Sequence, residues 1–225
     1  MTEPWAKWCA DFDRVMDGAY QAHYYRWMWR TINAVIDQSG IKKQPALINY
    51  LNNTYVAYIA SFVRREVDTR ADVVNLTRCI KDLESHLDLI TRTRYLELYR
   101  AAHESEEFDP ESGFDTFSPH GNENLERKAL ADRRIRLQEA AARIKSFVDE
   151  NIAHTSAAPS GDIPTFGDVD SAMAEIEAIE KEFYLLRHPG DALWTVTPVA
   201  DLRFLEMFQA AWFPVGSTLP ASIRE

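Results

Sequence analysis

Cysteine, glycine and proline are all scarce in this chain, and each scarcity excludes a class of fold. Two cysteines in 225 residues, Cys9 and Cys79, stand far apart and show no metal-ligand spacing. They exclude a disulfide framework and read as reduced residues of a cytoplasmic protein. Eight glycines and ten prolines are too few for the turns of a sandwich or a many-stranded sheet. No apolar run approaches membrane-spanning length and no basic segment with an apolar stretch opens the chain, so a soluble, intracellular protein is expected. Positive charge is also short: the formal net charge is -10 and the pI near 5.1. Nucleic acid would therefore have to be held by a local basic patch rather than by overall electrostatics.

Several catalytic signatures are missing as well. There is no Glu-x-x-His or His-Glu-x-x-His step for a metal held between helices, and Glu84 and His86 are wrongly spaced for one helical face. No glycine-rich phosphate loop, Gly-x-Ser-x-Gly elbow or Cys/His nucleophile signature appears. Neither a metal nor a cofactor is expected.

What is present is apolar residues at three-to-four spacing, which predicts an all-α domain. Trp5, Trp8, Phe12, Val15, Ala19, His23 and Trp27 open a first helix that runs to Ser39-Gly40, with Gly18 allowing a bend or a close crossing. A second helix from about Pro45 carries Leu47, Leu51, Tyr58 and Phe62 and ends in the basic knot Arg64, Arg65 and Arg70. Asp72 is the predicted cap of a third helix with Val73, Leu76, Ile80, Leu83 and Leu87, and a fourth covers Ile90 to Tyr99. Residues 104–124 form an acidic surface loop that Phe108, Phe114 and Phe117 can pin to the body. A long helix over about 124–152 has Leu130, Leu137, Ala141, Ile144 and Val148 as its stripe, with Arg133, Arg136, Arg143 and His154 on one shoulder. After a Pro/Gly/Ser linker, Thr165 to Asp168 has the capping-box pattern of a last helix. The domain is expected over 1–187, followed by an aromatic tail over 188–225.

Each candidate site residue has a structural alternative. His154, following Asn151 by three, either closes its helix or works as a general acid/base. Arg64 and Arg65 either complement the dipole of the helix they end or clamp a phosphate. Arg136 and Arg143 either face RNA or form a solvated edge over the core. His23 and the stripe Trp5, Trp8, Trp27 read as core.

Residues from about 25 to 186 resemble the abortive-infection group of HEPN (higher eukaryotes and prokaryotes nucleotide-binding) helical domains. The likeness rests on Arg64-Arg65-Glu66-Val67-Asp68, on Leu76 to Leu83, on Thr91 to Tyr95, on Asp149-Glu-Asn-Ile-Ala-His154 and on Pro164 to Asp168. It implies an up-down helical bundle that dimerises, and in its catalytic members a metal-independent ribonuclease of phage defence and toxin systems. The catalytic motif of that group is an arginine followed after four to six residues by a histidine. Here Phe147, Val148 and Asp149 occupy the arginine's place. Arg143 lies about 16 Å of helix rise before His154, too far to share one phosphate within a chain. The resemblance thus implies His154 and Asn151 as catalytic residues, with a displaced arginine (Arg64, Arg65, or Arg143 of a second copy) and RNA as ligand. The alternative is a non-catalytic module that binds a partner protein, a nucleotide or itself.

Overall fold

In a computed structural model, residues 3–38, 45–102, 110–152 and 163–189 are described. Their regular elements are all helices: α1 (Glu3–Gln38), α2 (Pro45–Glu66), α3 (Leu76–Ser85), α4 (Arg92–Ala102), α5 (Pro110–Asp115), α6 (Arg127–Phe147) and α7 (Phe166–Arg187). A π-helical turn, Val148–Ile152, continues α6. Among the described residues there is no strand, and no helix is long and apolar enough to cross a membrane.

The described residues fall into two compact units, and the boundaries cut α1 after Gly18 and α2 after Ile59. The larger unit is built on α6, which packs against α3 and α7. The stripe predicted for α6 is its buried face: Leu130, Leu137, Ala141 and Ile144 are wholly buried and Val148 nearly so. On α7 the facing residues are Val169, Met173, Ile176, Ile179 and Phe183. Trp8 and Phe12 of α1 stack at 5.2 Å and both meet the Phe183 ring edge-on. The Trp8 indole N–H donates to the Cys79 carbonyl at 3.0 Å, so even this large ring enters the core with its polar atom satisfied. Both cysteines are buried free thiols, and burial pushes each thiol's pKa up.

Antiparallel α6 and α7 are also joined by a ladder of ion pairs. Arg133 meets Glu182, Arg136 meets Glu175 at 3.3 Å, and Arg143 meets Asp168 at 2.9 Å. Asp168 is at the same time part of the expected capping box, accepting from the Thr165 amide while Thr165 accepts from the Asp168 amide. The α7 start is thus fixed from within and from α6.

Three local expectations change. The cap of α3 is Asn75, not Asp72: its side chain accepts from the Arg78 amide, and its Nδ2 donates to the carbonyls of Arg65 and Asp68. Those two extra bonds decide between neighbouring candidates, because they tie the cap to the end of α2. Val73 and Leu87 therefore fall outside the helix.

The acidic segment holds a helix of its own, α5, and Phe114 and Phe117 are buried as expected, whereas Phe108 lies outside the described residues. Two arginines do as much as the rings. Arg92 donates to the carbonyls of Asn122 and Pro119 with its guanidinium 4.8 Å over Phe114. Arg133 donates to the Thr116 carbonyl and lies 4.4 Å over Phe117.

The smaller unit, Ala19–Ile59, is the far end of α1 facing the first part of α2. It is rich in rings: Trp29 stacks on Tyr55 at 4.2 Å and Tyr25 meets Tyr58 edge-on at 4.7 Å. These rings and Tyr50 border an apolar cleft of about 380 Å³.

Candidate functional site

The site is assembled where α2 ends, where α3 begins and where α6 runs into its π turn. The last turn of α2 carries Arg64 and Arg65, cations placed where the helix dipole favours them. The chain then turns sharply, and the following acids organise the turn. Glu66 is fully buried and its Oε2 accepts from the Leu76 amide at 2.9 Å, while Thr77 Oγ1 donates to the Glu66 carbonyl at 2.8 Å. Asp68 accepts from the Arg70 amide through Oδ1 and from the Arg64 and Arg70 side chains through Oδ2, at 2.5 and 3.0 Å. Burial opposes the Asp68 charge, but these bonds outweigh it and hold the carboxyl below the usual range.

From the other side comes Asp149, the second residue of the π turn. Arg64 Nε donates to Asp149 Oδ1 at 2.8 Å, and Lys145 Nζ donates to its Oδ2 at 3.0 Å. Burial opposes the Asp149 charge too; the Arg64 and Lys145 hydrogen bonds together prevail and lower its pKa. Asp149 in turn raises the pKa of Arg64, with burial working the other way and Asp68 adding to the rise. An arginine therefore does stand beside the segment where the family motif has one, but it comes from α2 and is gripped by two carboxylates.

The other predicted residues are dispersed. Arg65 turns to Glu66 at 2.8 Å and lies 5.1 Å over the Phe62 ring. A Cβ at Gly18 would collide with its guanidinium, so the predicted close crossing at Gly18 is the passage of Arg65. Asn151 is exposed and donates to the Phe147 carbonyl at 3.1 Å. Arg136 and Arg143 are rungs of the α6–α7 ladder rather than companions of Arg64. His154 lies outside the described residues. Sequence reasoning missed Asp68 and Lys145, whose roles depend on which helices meet.

A second group of acids lies buried behind the joint. Glu180 of α7 is fully buried; burial, then the nearby charges of Glu66 and Glu177, push its pKa well up, and Arg65 pulls against them. Glu66 is pushed up by burial as well, with Arg65 and the Leu76 amide opposing. Glu180 had a visible signal, since it falls on the α7 stripe four residues after Ile176 and three before Phe183. Its linkage to stability has a definite sign. Folded Glu180 holds its proton more tightly than the unfolded residue does, so unfolding releases it and stability falls as pH rises above the unfolded carboxyl range of about 4.3. The loss continues until pH passes the raised folded value. Glu180→Gln is expected to melt several degrees above wild type at pH 8 and to lose that advantage by pH 4. Thermal melts across this range check it, and equal shifts at both ends would contradict the assignment. Among the described residues no three His, Cys, Asp or Glu side chains gather to hold a metal ion.

Comparison with known proteins gives one family. The family model for AbiU2, an abortive-infection HEPN domain, matches residues 6–186, and so includes nearly all of α1, well before Tyr25. No curated protein and no solved structure matches the chain. The matched span takes in α2, its junction with α3, and the π turn that meets Arg64, and the chain belongs to the AbiU2 family of HEPN domains.

Proposed function

We propose that this HEPN protein is a metal-independent endoribonuclease of a prokaryotic defence system, in which Arg64 takes the place of the family arginine. The supporting observation is the Arg64–Asp149 hydrogen bond of 2.8 Å, which puts a guanidinium beside the segment that leads to His154. In this reading His154 exchanges a proton with the ribose 2′-hydroxyl or the leaving oxygen. Arg64 stabilises the charge that builds on the phosphate. Asn151, exposed on the π turn, orients the histidine or the phosphate. The protein works in the cytoplasm as a homodimer, which doubles these groups around the substrate. The test is cleavage of labelled single-stranded RNA and transfer RNA with chelator present, comparing wild type with His154→Ala. Cleavage that disappears in the variant is expected; cleavage by neither, or equally by both, sinks the proposal.

One observation favours the non-catalytic alternative, a module that binds a partner protein. It is the aromatic cleft of the Ala19–Ile59 unit, where Tyr25, Tyr50 and Tyr58 expose 42%, 66% and 37% of their surface. Concentrated apolar surface of this kind marks interaction sites. A monomer that retains no partner from native cells would count against that reading.

A further inference from the structure

A second cavity lies directly beyond Arg64, in the larger unit, between the turn after α2 and the first turns of α3. Its volume is about 240 Å³, and its walls include Asp68, Arg70, Arg78, Lys81 and Asp82. We propose that this cavity is a phosphate-binding subsite continuous with Arg64, filled by the neighbouring phosphate of a bound polynucleotide strand. The proposal rests on the ribonuclease reading for its ligand, but its residues and its test are separate.

Continuity comes from Asp68. One carboxylate oxygen, Oδ2, accepts from Arg64 at 2.5 Å and from Arg70 at 3.0 Å. The two guanidinium groups are therefore no farther apart than these two bonds laid end to end, with Arg64 facing the π turn and Arg70 lining the cavity. A chain of positive groups thus leads away from the site rather than surrounding it.

Inside the cavity the cations are set before any ligand arrives. Arg70 is oriented by Asp68, which also holds the Arg70 backbone amide at 3.0 Å. Arg78 Nη1 donates to the Ala71 carbonyl at 2.7 Å, and its contact with Asp82 is loose, at 3.8 Å. Lys81, half-buried on the same face of α3, has no carboxylate partner among the described residues. In a chain of net charge -10, carboxylates are plentiful, so a half-buried ammonium without one is unusual. Withdrawing a cation from water without compensation costs free energy, and a bound anion supplies that compensation.

The chemistry also says what kind of anion. No aromatic side chain lines the cavity, so it offers no stacking platform for a base. Contacts would be to phosphate oxygens and independent of sequence, the pattern that positions a strand without reading it. A free phosphate presents the same oxygens, and the experiment separates the two sources.

The full chain is titrated with a fluorescent 2′-O-methyl RNA, which lacks the hydroxyl needed for cleavage, at salt from about 50 to 200 mM. Lys81→Ala is expected to weaken binding and to reduce the slope of log K against log salt by about 0.7, the loss of one phosphate contact on a single strand. Lys81→Arg should restore both. Lys128→Ala, at an exposed lysine on α6 away from the cavity, should change neither. Competition by millimolar inorganic phosphate that vanishes in Lys81→Ala would show the subsite taking a free anion as well; no such competition would confine it to strands. Absence of strand binding by wild type, or an equal effect of the Lys81 and Lys128 substitutions, overturns the subsite. Lys81-dependent binding by a protein that cleaves nothing would leave the subsite standing and remove only the ribonuclease reading.

Discussion

Arg133→Ala is expected to destabilise the protein by about 3–5 kcal/mol, the cost of leaving a buried charge without its partner. For a chain of this size that is a fall in melting temperature on the order of 10 °C. The side chain is 7% exposed although it carries a full charge. It is tolerated because each edge of the guanidinium is used: Nε donates to Glu182, Nη1 to the Ala129 carbonyl and Nη2 to the Thr116 carbonyl, both at 2.8 Å. Its flat face covers Phe117, which packs against Phe183 at 5.5 Å. Alanine would strand the Glu182 charge, leave the Thr116 carbonyl without its donor and open a gap on the ring. Lysine keeps the charge but not the planar fork, so Arg133→Lys should recover only part of the loss. Chemical denaturation of the three proteins measures it, and a change below about 1 kcal/mol for alanine, the scale of an exposed pair, would show that the fork carries little.

Arg64→Ala should lower RNA cleavage by about two to three orders of magnitude, the usual effect of removing one donor to a developing oxyanion. The electrostatics sharpen this. With Arg64 in place its charge offsets one of the two carboxylates it binds; without it Asp68 and Asp149 face the phosphate together. Asp149→Arg alone should also be inactive, because it sets two cations against each other and breaks the Arg64 contact. The informative protein is the exchange, Arg64→Asp with Asp149→Arg. It restores the ion pair in reverse and puts an arginine five positions before His154, where the family motif has it. Activity in the exchanged protein, with both single variants dead and all three folded, would establish that the arginine's location matters and its helix of origin does not. An unaffected Arg64→Ala would remove Arg64 from the mechanism.

How much of this was legible in the sequence varied with how local the determinant is. The capping box at Thr165 and Asp168 is a contact three residues long, and it formed as read. The α6 stripe needs only the helical period, and all five predicted residues are buried. Asn75 was harder. Asp72 and Asn75 are comparable caps in isolation, and the choice was made by the carbonyls of Arg65 and Asp68, which reach Asn75 only once α2 and α3 meet. α5 is six residues long, too short for a period to show. Arg133 lies three after Leu130 and four before Leu137, so its place in an apolar stripe was a usable sign of a buried, satisfied charge. Arg136 and Arg143 could be placed on one face, but the acids opposite them belong to α7 and depend on the register of two antiparallel helices. Arg64 was identifiable as a candidate cation; that it would sit on Asp149 was not.

The five-residue π turn at the end of α6 makes chain length a determinant of the site. A π turn takes up one residue more than an α turn, since its hydrogen bonds close over five residues instead of four. Remove any one residue between Val148 and Ile152 and the segment can relax to an ordinary helix, with everything downstream rotated by about 100°. Asp149 and the residues after it would then share a different bearing, although the composition of the segment would scarcely change. Insertions and deletions, rather than substitutions, are the changes this corner of the protein is least able to absorb, and variant libraries restricted to point changes would never reveal it.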